Sequence, residues 1–199
     1  MKRAARAVAT LAAFLPAPAQ LALHFRDGPP ARVTGGFGED SCFACHSGNA
    51  LNEVGGRLTL SGFPERYDPG ATYELELMLS RPSKLAVAGF QLAIRHAANK
   101  MQAGTIRPPA EDEERIGLLD ERGTQFAHHR LAEVTPPVGT SVRWKLAWIA
   151  PENAGQVVAH AAAVAGDGDD SQLGDYVYTL EAFAETAIVR APSPGPPSG

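Results

Sequence analysis

The stretch TYELELMLS, residues 72–80, places Tyr73, Leu75, Leu77 and Leu79 on one face and Glu74 and Glu76 on the other. That is the period-2 pattern of a strand with one buried side. SVRWKLAWIA repeats it, with Val142, Trp144, Leu146 and Trp148 opposed to Arg143 and Lys145. RLTLSGF, LAVAGFQLAIRH, TQFAHHRLAEV, GQVVAHAAAVAG and DYVYTLEAFAETAIVR are further short alternating or apolar runs, each bounded by Gly, Pro, Asp or Asn. Such a series predicts a mostly-β fold, an antiparallel immunoglobulin-like β-sandwich over residues 57–190. Only PPAEDEERIGLLDERG, residues 108–123, looks partly helical, and its acidity predicts an exposed insertion between strands. No internal repeat is evident.

Ahead of the sandwich the pattern is different. Residues 20–56 carry little periodic hydrophobicity and many turn formers, in DGPP, TGGFGED, HSGN and VGG. They predict an extended arm or loop, with a helical turn at Phe43–His46. The last nine residues, APSPGPPSG at 191–199, are too rich in Pro and Gly to pack and predict a disordered tail.

The first nineteen residues read as a cleaved secretory signal. Lys2, Arg3 and Arg6 form a basic region, Ala7 to Leu15 a short apolar run, and APAQ a small-residue cleavage site near Ala19. Nine apolar or small residues cannot span ~30 Å of hydrocarbon, and no later segment predicts a membrane span in the mature chain. Loss of the three basic residues takes Lys+Arg from 18 to 15 against 22 Asp+Glu, so the net charge moves from −4 to −7. A periplasmic or secreted protein of this charge has no electrostatic footprint for nucleic acid.

The compartment gives the two cysteines their meaning. Both lie in GEDSCFACHSG, where Cys42, Cys45 and His46 form the Cys-x-x-Cys-His pentapeptide of covalent haem attachment. Two thiols at this spacing reach the two vinyl groups of one porphyrin edge, and the adjacent imidazole ligates the iron. A Cys42–Cys45 disulfide is the plainer rival, although so short a loop gives it little entropic leverage. A dithiol oxidoreductase would want a βαβ setting, and a zinc site would want four ligands. The sequence thus favours one covalent haem c held by Cys42, Cys45 and His46.

For the sixth position on iron the chain offers His24, His96, His128, His129, His160, Met78 and Met101. In TQFAHHRLAEV a strand would place His128 on the face of Phe126, beside apolar neighbours, and His129 on the other side. His128 is therefore the expected distal ligand and His129 the alternative. His160 in VVAHAAAV reads as a satisfied core histidine, and GDGDDSQLGD, residues 166–175, as an acidic hairpin turn more than a calcium loop. No Ser-His-Asp order, paired-carboxylate pattern or phosphate loop points to a hydrolase or transferase.

The layout TGGFGEDSCFACHSG, then AGFQLAIR, QFAHH and WKLAWIAPENAGQVVAHAAAVAGDGDDSQLGDYVYT, resembles the Reeler-like domains of exported bacterial proteins, in particular the choice-of-anchor V family. The likeness covers residues 34–182 and is most specific at Cys42, Cys45, His46, the Trp148-Ile149-Ala150-Pro151 run and Gly174 to Thr179. It implies a Reeler-like fold and an exported location. The family's Thr-His-Thr-like strand matches His128 by position better than His129, although FAHHR lacks the flanking threonines. Together these readings predict a single-haem electron-transfer cytochrome with redox partner proteins, an electron carrier more than an enzyme. The alternative is a non-haem extracellular recognition or adhesion module with a Cys42–Cys45 disulfide. A third reading is a copper or zinc site built from His128, His129 and His160.

Overall fold

The computed structural model of the chain describes residues 25, 27–130, 133–134 and 140–187. The signal expected over 1–19, His24 and the tail expected over 191–199 lie outside the described residues. Twelve strands follow in chain order: β1 Ser47–Gly48, β2 Arg57–Ser61, β3 Arg66–Tyr67, β4 Thr72–Ser80, β5 Val87–His96 and β6 Thr105–Arg107, then β7 Ile116–Glu121, β8 Thr124–His129, β9 Glu133–Val134, β10 Ser141–Ile149, β11 Val157–Gly166 and β12 Leu173–Thr186.

The strands form two sheets. The small sheet runs β2-β4-β10-β6, and the large one β1-β12-β11-β5-β8-β7, with β3 added on β12 and β9 on β5. Every long pairing is antiparallel. The alternation read from the sequence sets the small sheet's inner face: Leu75, Leu77 and Leu79 of β4 and Val142, Trp144, Leu146 and Trp148 of β10 are buried. They meet Phe90, Leu92 and Ile94 of β5 and Ala159, Ala161 and Ala163 of β11 in one core, with the Phe90 and Trp144 ring centroids 4.6 Å apart. The expected antiparallel sandwich is what the chain forms.

The acidic stretch at 108–123 departs from expectation. A short 3-10 turn at Ala110–Asp112 accounts for its helical look, but IGLLDE is the edge strand β7, paired along its length with β8. The hairpin is closed by Arg122 and Gly123, both at positive φ (52° and 73°), the two-residue turn whose twist suits flanking strands.

The large sheet is covered on both sides. All ten residues of β11 are buried, as expected of a strand with no solvent-facing side. Its inner face meets the small sheet, and its outer face meets residues 28–50. These residues carry no periodic pattern because they pack as irregular backbone held by specific polar bonds. Gln91 of β5, fully buried, accepts the Val33 amide at 2.8 Å and donates to the Pro30 carbonyl at 2.8 Å. Further along β5, Arg95 grips Glu39 with two bonds of 2.6 and 2.9 Å. The segment is thus a strap fixed to the sheet, where the sequence predicted an extended arm.

The Arg95–Glu39 pair lies almost wholly out of water, at 2% and 9% side-chain exposure. Removing one partner strands the other charge, which costs about 3–5 kcal/mol in buried pairs. Glu39→Ala should therefore destabilise the protein by about that amount in urea unfolding. Glu121→Ala, which removes only the half-exposed partner of Arg32, should cost under about 1 kcal/mol.

Candidate functional site

The Cys-x-x-Cys-His segment folds as a short 3-10 turn, Cys42–Ala44, one residue earlier than expected. Ser41 caps it: its Oγ accepts the Phe43 amide at 3.2 Å. The Cys45 and His46 amides both return to the Cys42 carbonyl, at 3.2 and 2.9 Å. This tight reversal sends the two sulfurs in different directions. Cys42 is buried against Ala162, Val164 and Val177 on the outer face of the large sheet, and Cys45 is exposed. Both are free thiols, so the Cys42–Cys45 disulfide of the alternative reading is not formed here. Burial pushes the Cys42 thiol up to about 12, with Cys45 beside it adding to the rise, so Cys42 stays protonated at neutral pH.

His46 is anchored from behind. Its Nδ1 lies 2.5 Å from Oδ2 of Asp175, whose side chain is 4% exposed. A carboxylate on one ring nitrogen fixes the imidazole's orientation and leaves Nε2 as the nitrogen for another partner. Asn49 holds the same corner by donating to the Gly174 and Asp175 carbonyls at 2.7 and 3.0 Å. Asp175 was read only as part of an acidic turn. The GDYVYT run that contains it was legible as specific, but not as the support of His46.

A cavity of about 180 Å³ lies between the strap and the sheet. One wall carries Cys42, Cys45 and His46; the other carries Val87, Ala88, Gly89, Val164 and His129, with Phe25, Pro29, Pro30 and Val33 closing the side. Gly89 is required there. A Cβ at that position would sit 2.5 Å from the His129 ring, so only glycine lets the imidazole lie across β5.

His129, and not His128, is the histidine that shares the cavity with the motif. Strand alternation fails at this point because β8 ends: the His129 ring takes the place of a ladder partner, with Nδ1 accepting the Phe90 amide at 3.0 Å. Its Nε2 then carries the proton and donates to the Phe25 carbonyl at 3.2 Å. Burial holds its pKa below the usual histidine value, against the Phe90 and Phe25 carbonyl oxygens near its ring nitrogens, which favour the charged ring, with His128 and His46 lowering it further. His128 instead lies beneath the strap, its Nδ1 2.7 Å from the His129 carbonyl oxygen.

The remaining candidates lie elsewhere. His160 pairs with Glu181 at 2.7 Å and meets the edge of Phe37. Met101 is 65% exposed at a turn, and His96 closes the end of β5. In the acidic loop, Asp169 and Asp167 accept backbone amides of their own turn. Among the described residues no group of three or more His, Cys, Asp or Glu is placed to hold a metal ion. The copper or zinc site from His128, His129 and His160 is corrected on that ground, His160 being tied to Glu181 under Phe37.

With this geometry in hand, the chain compares with solved structures as follows. The Reelin-N domain of F-spondin matches over 74% of this chain and 96% of its own, at 20% identity and a TM-score of 0.50. The fold is Reeler-like. The human F-spondin reeler domain matches over 68% and 94% at 21% identity and a TM-score of 0.45. A cohesin module from a Clostridium perfringens family 33 glycoside hydrolase matches over 67% and 98% at 14% identity and a TM-score of 0.41. No family model matches the chain, and no curated protein does, so the choice-of-anchor V likeness rests on the quoted motifs. The expectation of a metal-binding, electron-transferring cytochrome c is corrected by these findings. The solved structure that the sandwich matches at a TM-score of 0.50 is named as a Reelin-N domain, and among the described residues no group of three or more His, Cys, Asp or Glu is placed to hold a metal ion. No helix among the described residues is long and apolar enough to cross a membrane.

Two measurements check the site. Alkylation of the native protein by iodoacetamide should label Cys45 and spare Cys42, with both labelled in denaturant; a tryptic mass map distinguishes them, and a disulfide would leave both unlabelled. The second concerns pH. A histidine with a lowered folded pKa takes up its proton more readily when unfolded, so its contribution to stability is present above pH ~6.5 and is lost as pH falls toward the folded value. Stability should thus decline below pH ~6.5 by up to about 1.4 kcal/mol per pH unit from this residue, and His129→Gln should flatten that decline.

Proposed function

We propose that the chain is an exported extracellular binding module of Reeler-like fold, whose ligand sits in the cavity between strap and sheet. One observation carries this reading: a mostly apolar cavity in which a few polar groups, among them the Cys45 thiol, the His46 imidazole and Ser171, converge, with the backbone-bonded ring of His129 forming part of the wall. That composition is typical of ligand sites, where apolar walls supply affinity and a few polar groups set orientation. Rigid strands carry one wall and a polar-bonded strap the other, so the site is preformed. A periplasmic or secreted setting suits the reading, with other extracellular macromolecules as partners.

A second reading concerns what fills the cavity, and a specific observation favours it. Cys42 and Cys45 are both free, His46 follows them with Asp175 fixing its Nδ1, and His129 faces the same cavity. These are the groups that covalent haem c uses: two thiols for attachment and an oriented imidazole as axial ligand. In that reading Cys42 and Cys45 would hold the group and His46 would ligate it, while His129 lines the same cavity bonded to the Phe25 carbonyl. Electron transfer is not part of either reading.

The two are separable. Val164→Phe fills the cavity from the sheet side, where Val164 is 8% exposed. Binding of an apolar dye should weaken at least about tenfold, the order expected when a buried ligand loses its contact surface. Unchanged dye binding would remove the module reading. For the second, the protein is produced with a c-type maturation system and stained for haem after denaturing electrophoresis. Stain lost in Cys45→Ser supports covalent haem, and a bare-chain mass without stain excludes it.

A further inference from the structure

The strap covers a second cavity, of about 430 Å³, toward the other end of β5. Arg95 there lies six residues from Gly89 on the same strand, about 20 Å at ~3.3 Å per residue. Its lining includes Arg32, Phe37, Glu39, Arg95, Lys100 and Arg122. Four cationic side chains thus face two carboxylates, Glu39 within the cavity and Glu121 on Arg32, on a chain whose net charge is −4. A local excess of one sign against the overall charge is a field that draws the opposite ion.

We propose that this cavity binds the carboxylate of an acidic ligand. The site already holds one carboxylate of its own. Glu39 takes two bonds from Arg95 and one from Arg32, at 2.6, 2.9 and 3.0 Å, the fork geometry that makes arginine suited to carboxylates. Those bonds do not exhaust the donors. Arg95 is 2% exposed and its buried Nε has no partner. Lys100 and Arg122 have no carboxylate partner among the described residues; Lys100 only lies over the Phe37 ring, its Nζ 5.5 Å from the centroid, with Arg95 at 4.7 Å. The backbone is also set unusually here. Of the seven non-glycine residues with positive φ among the described residues, Arg32, Phe37, Lys100 and Arg122 all line this cavity. Residues held at sparsely populated backbone angles concentrate at functional sites; Arg122 takes its angle from the β7–β8 hairpin turn, and with it the four are three cations and an aromatic ring.

The ligand chemistry is a carboxylate, free or carried on an acidic sugar chain, and the test separates these sources. Full-length protein is titrated calorimetrically with trigalacturonate and, separately, with sodium acetate, each against sodium chloride of matched ionic strength. Saturable binding is expected, weakened at least about tenfold in Lys100→Gln with Arg122→Gln, as for loss of charge-assisted bonds. Both of those side chains are exposed, so thermal unfolding should not change. Arg57→Gln with Lys145→Gln removes the same charge from exposed positions elsewhere and should leave binding intact. Acetate binding with the same dependence assigns the site to small carboxylates, and trigalacturonate binding alone assigns it to sugar chains. The proposal is overturned if neither probe binds at millimolar concentration, or if the control pair weakens binding equally. It does not depend on what fills the first cavity.

Discussion

A sheet buried on both faces needs a cover that does not itself form a sheet. β11 is buried at all ten positions, and its outer residues His160, Ala162 and Val164 would face water if the strap were absent. Ala162 and Val164 bury apolar area only because Cys42 and Val177 lie against them. The strap is not a second sheet, so its amides and carbonyls lack a ladder and must be satisfied one by one. Gln91 does this with both ends of its amide. Asn49 ties the strap back by donating to the Gly174 and Asp175 carbonyls, and Arg95 holds it by charge through the Glu39 side chain. The large sheet's outer face, the strap and both cavities stand or fall with these polar contacts.

That dependence explains where chemistry sits in the fold. The strap presses closely on the sheet at Cys42 and at Glu39, and leaves space on either side of these contacts. One gap collects imidazoles and a thiol around apolar walls; the other collects cations around an aromatic ring. Both are lined half by strand and half by irregular backbone. Strands hold their residues rigidly, and turns accept the left-handed conformations of Arg32 and Phe37 that a ladder would forbid. A site needing fixed walls and unusual side-chain directions finds both only at such a boundary.

Much of this was legible in the sequence, for reasons that can be stated residue by residue. Leu75, Leu77, Trp144 and Trp148 alternate with charged residues, and one-sided burial writes itself as period 2. VVAHAAAV, apolar but for His160, likewise reads as a strand, with His160 in the core. Cys42, Cys45 and His46 are local, so spacing alone revealed them. His129 was harder, because its role depends on β8 ending under a strap 100 residues away in sequence, with Gly89 making room for its ring. Alternation pointed to His128, and alternation no longer applies at a strand's last residue. Asp175 was hidden for a related reason: an aspartate at a turn looks the same whether it faces water or a histidine from the strap.

The asymmetry between the two cysteines constrains how anything could be joined to both. Cys45 is exposed, whereas Cys42 is packed against Ala162, Val164 and Val177 with its thiol pushed up to about 12. Only the thiolate is a good nucleophile, so with the strap closed Cys42 cannot react at an appreciable rate near neutral pH. A group attached through both sulfurs must therefore be joined before the strap settles on the sheet. Such a group would then become part of the cover, lying between Cys42 and His129 where the cavity now is. A ligand bound only through apolar contact and Cys45 has no such requirement, because its path runs past the exposed thiol. Burial of Cys42 thus sets an order of assembly: covalent occupancy through both sulfurs would precede closure of the strap, and reversible occupancy would follow it.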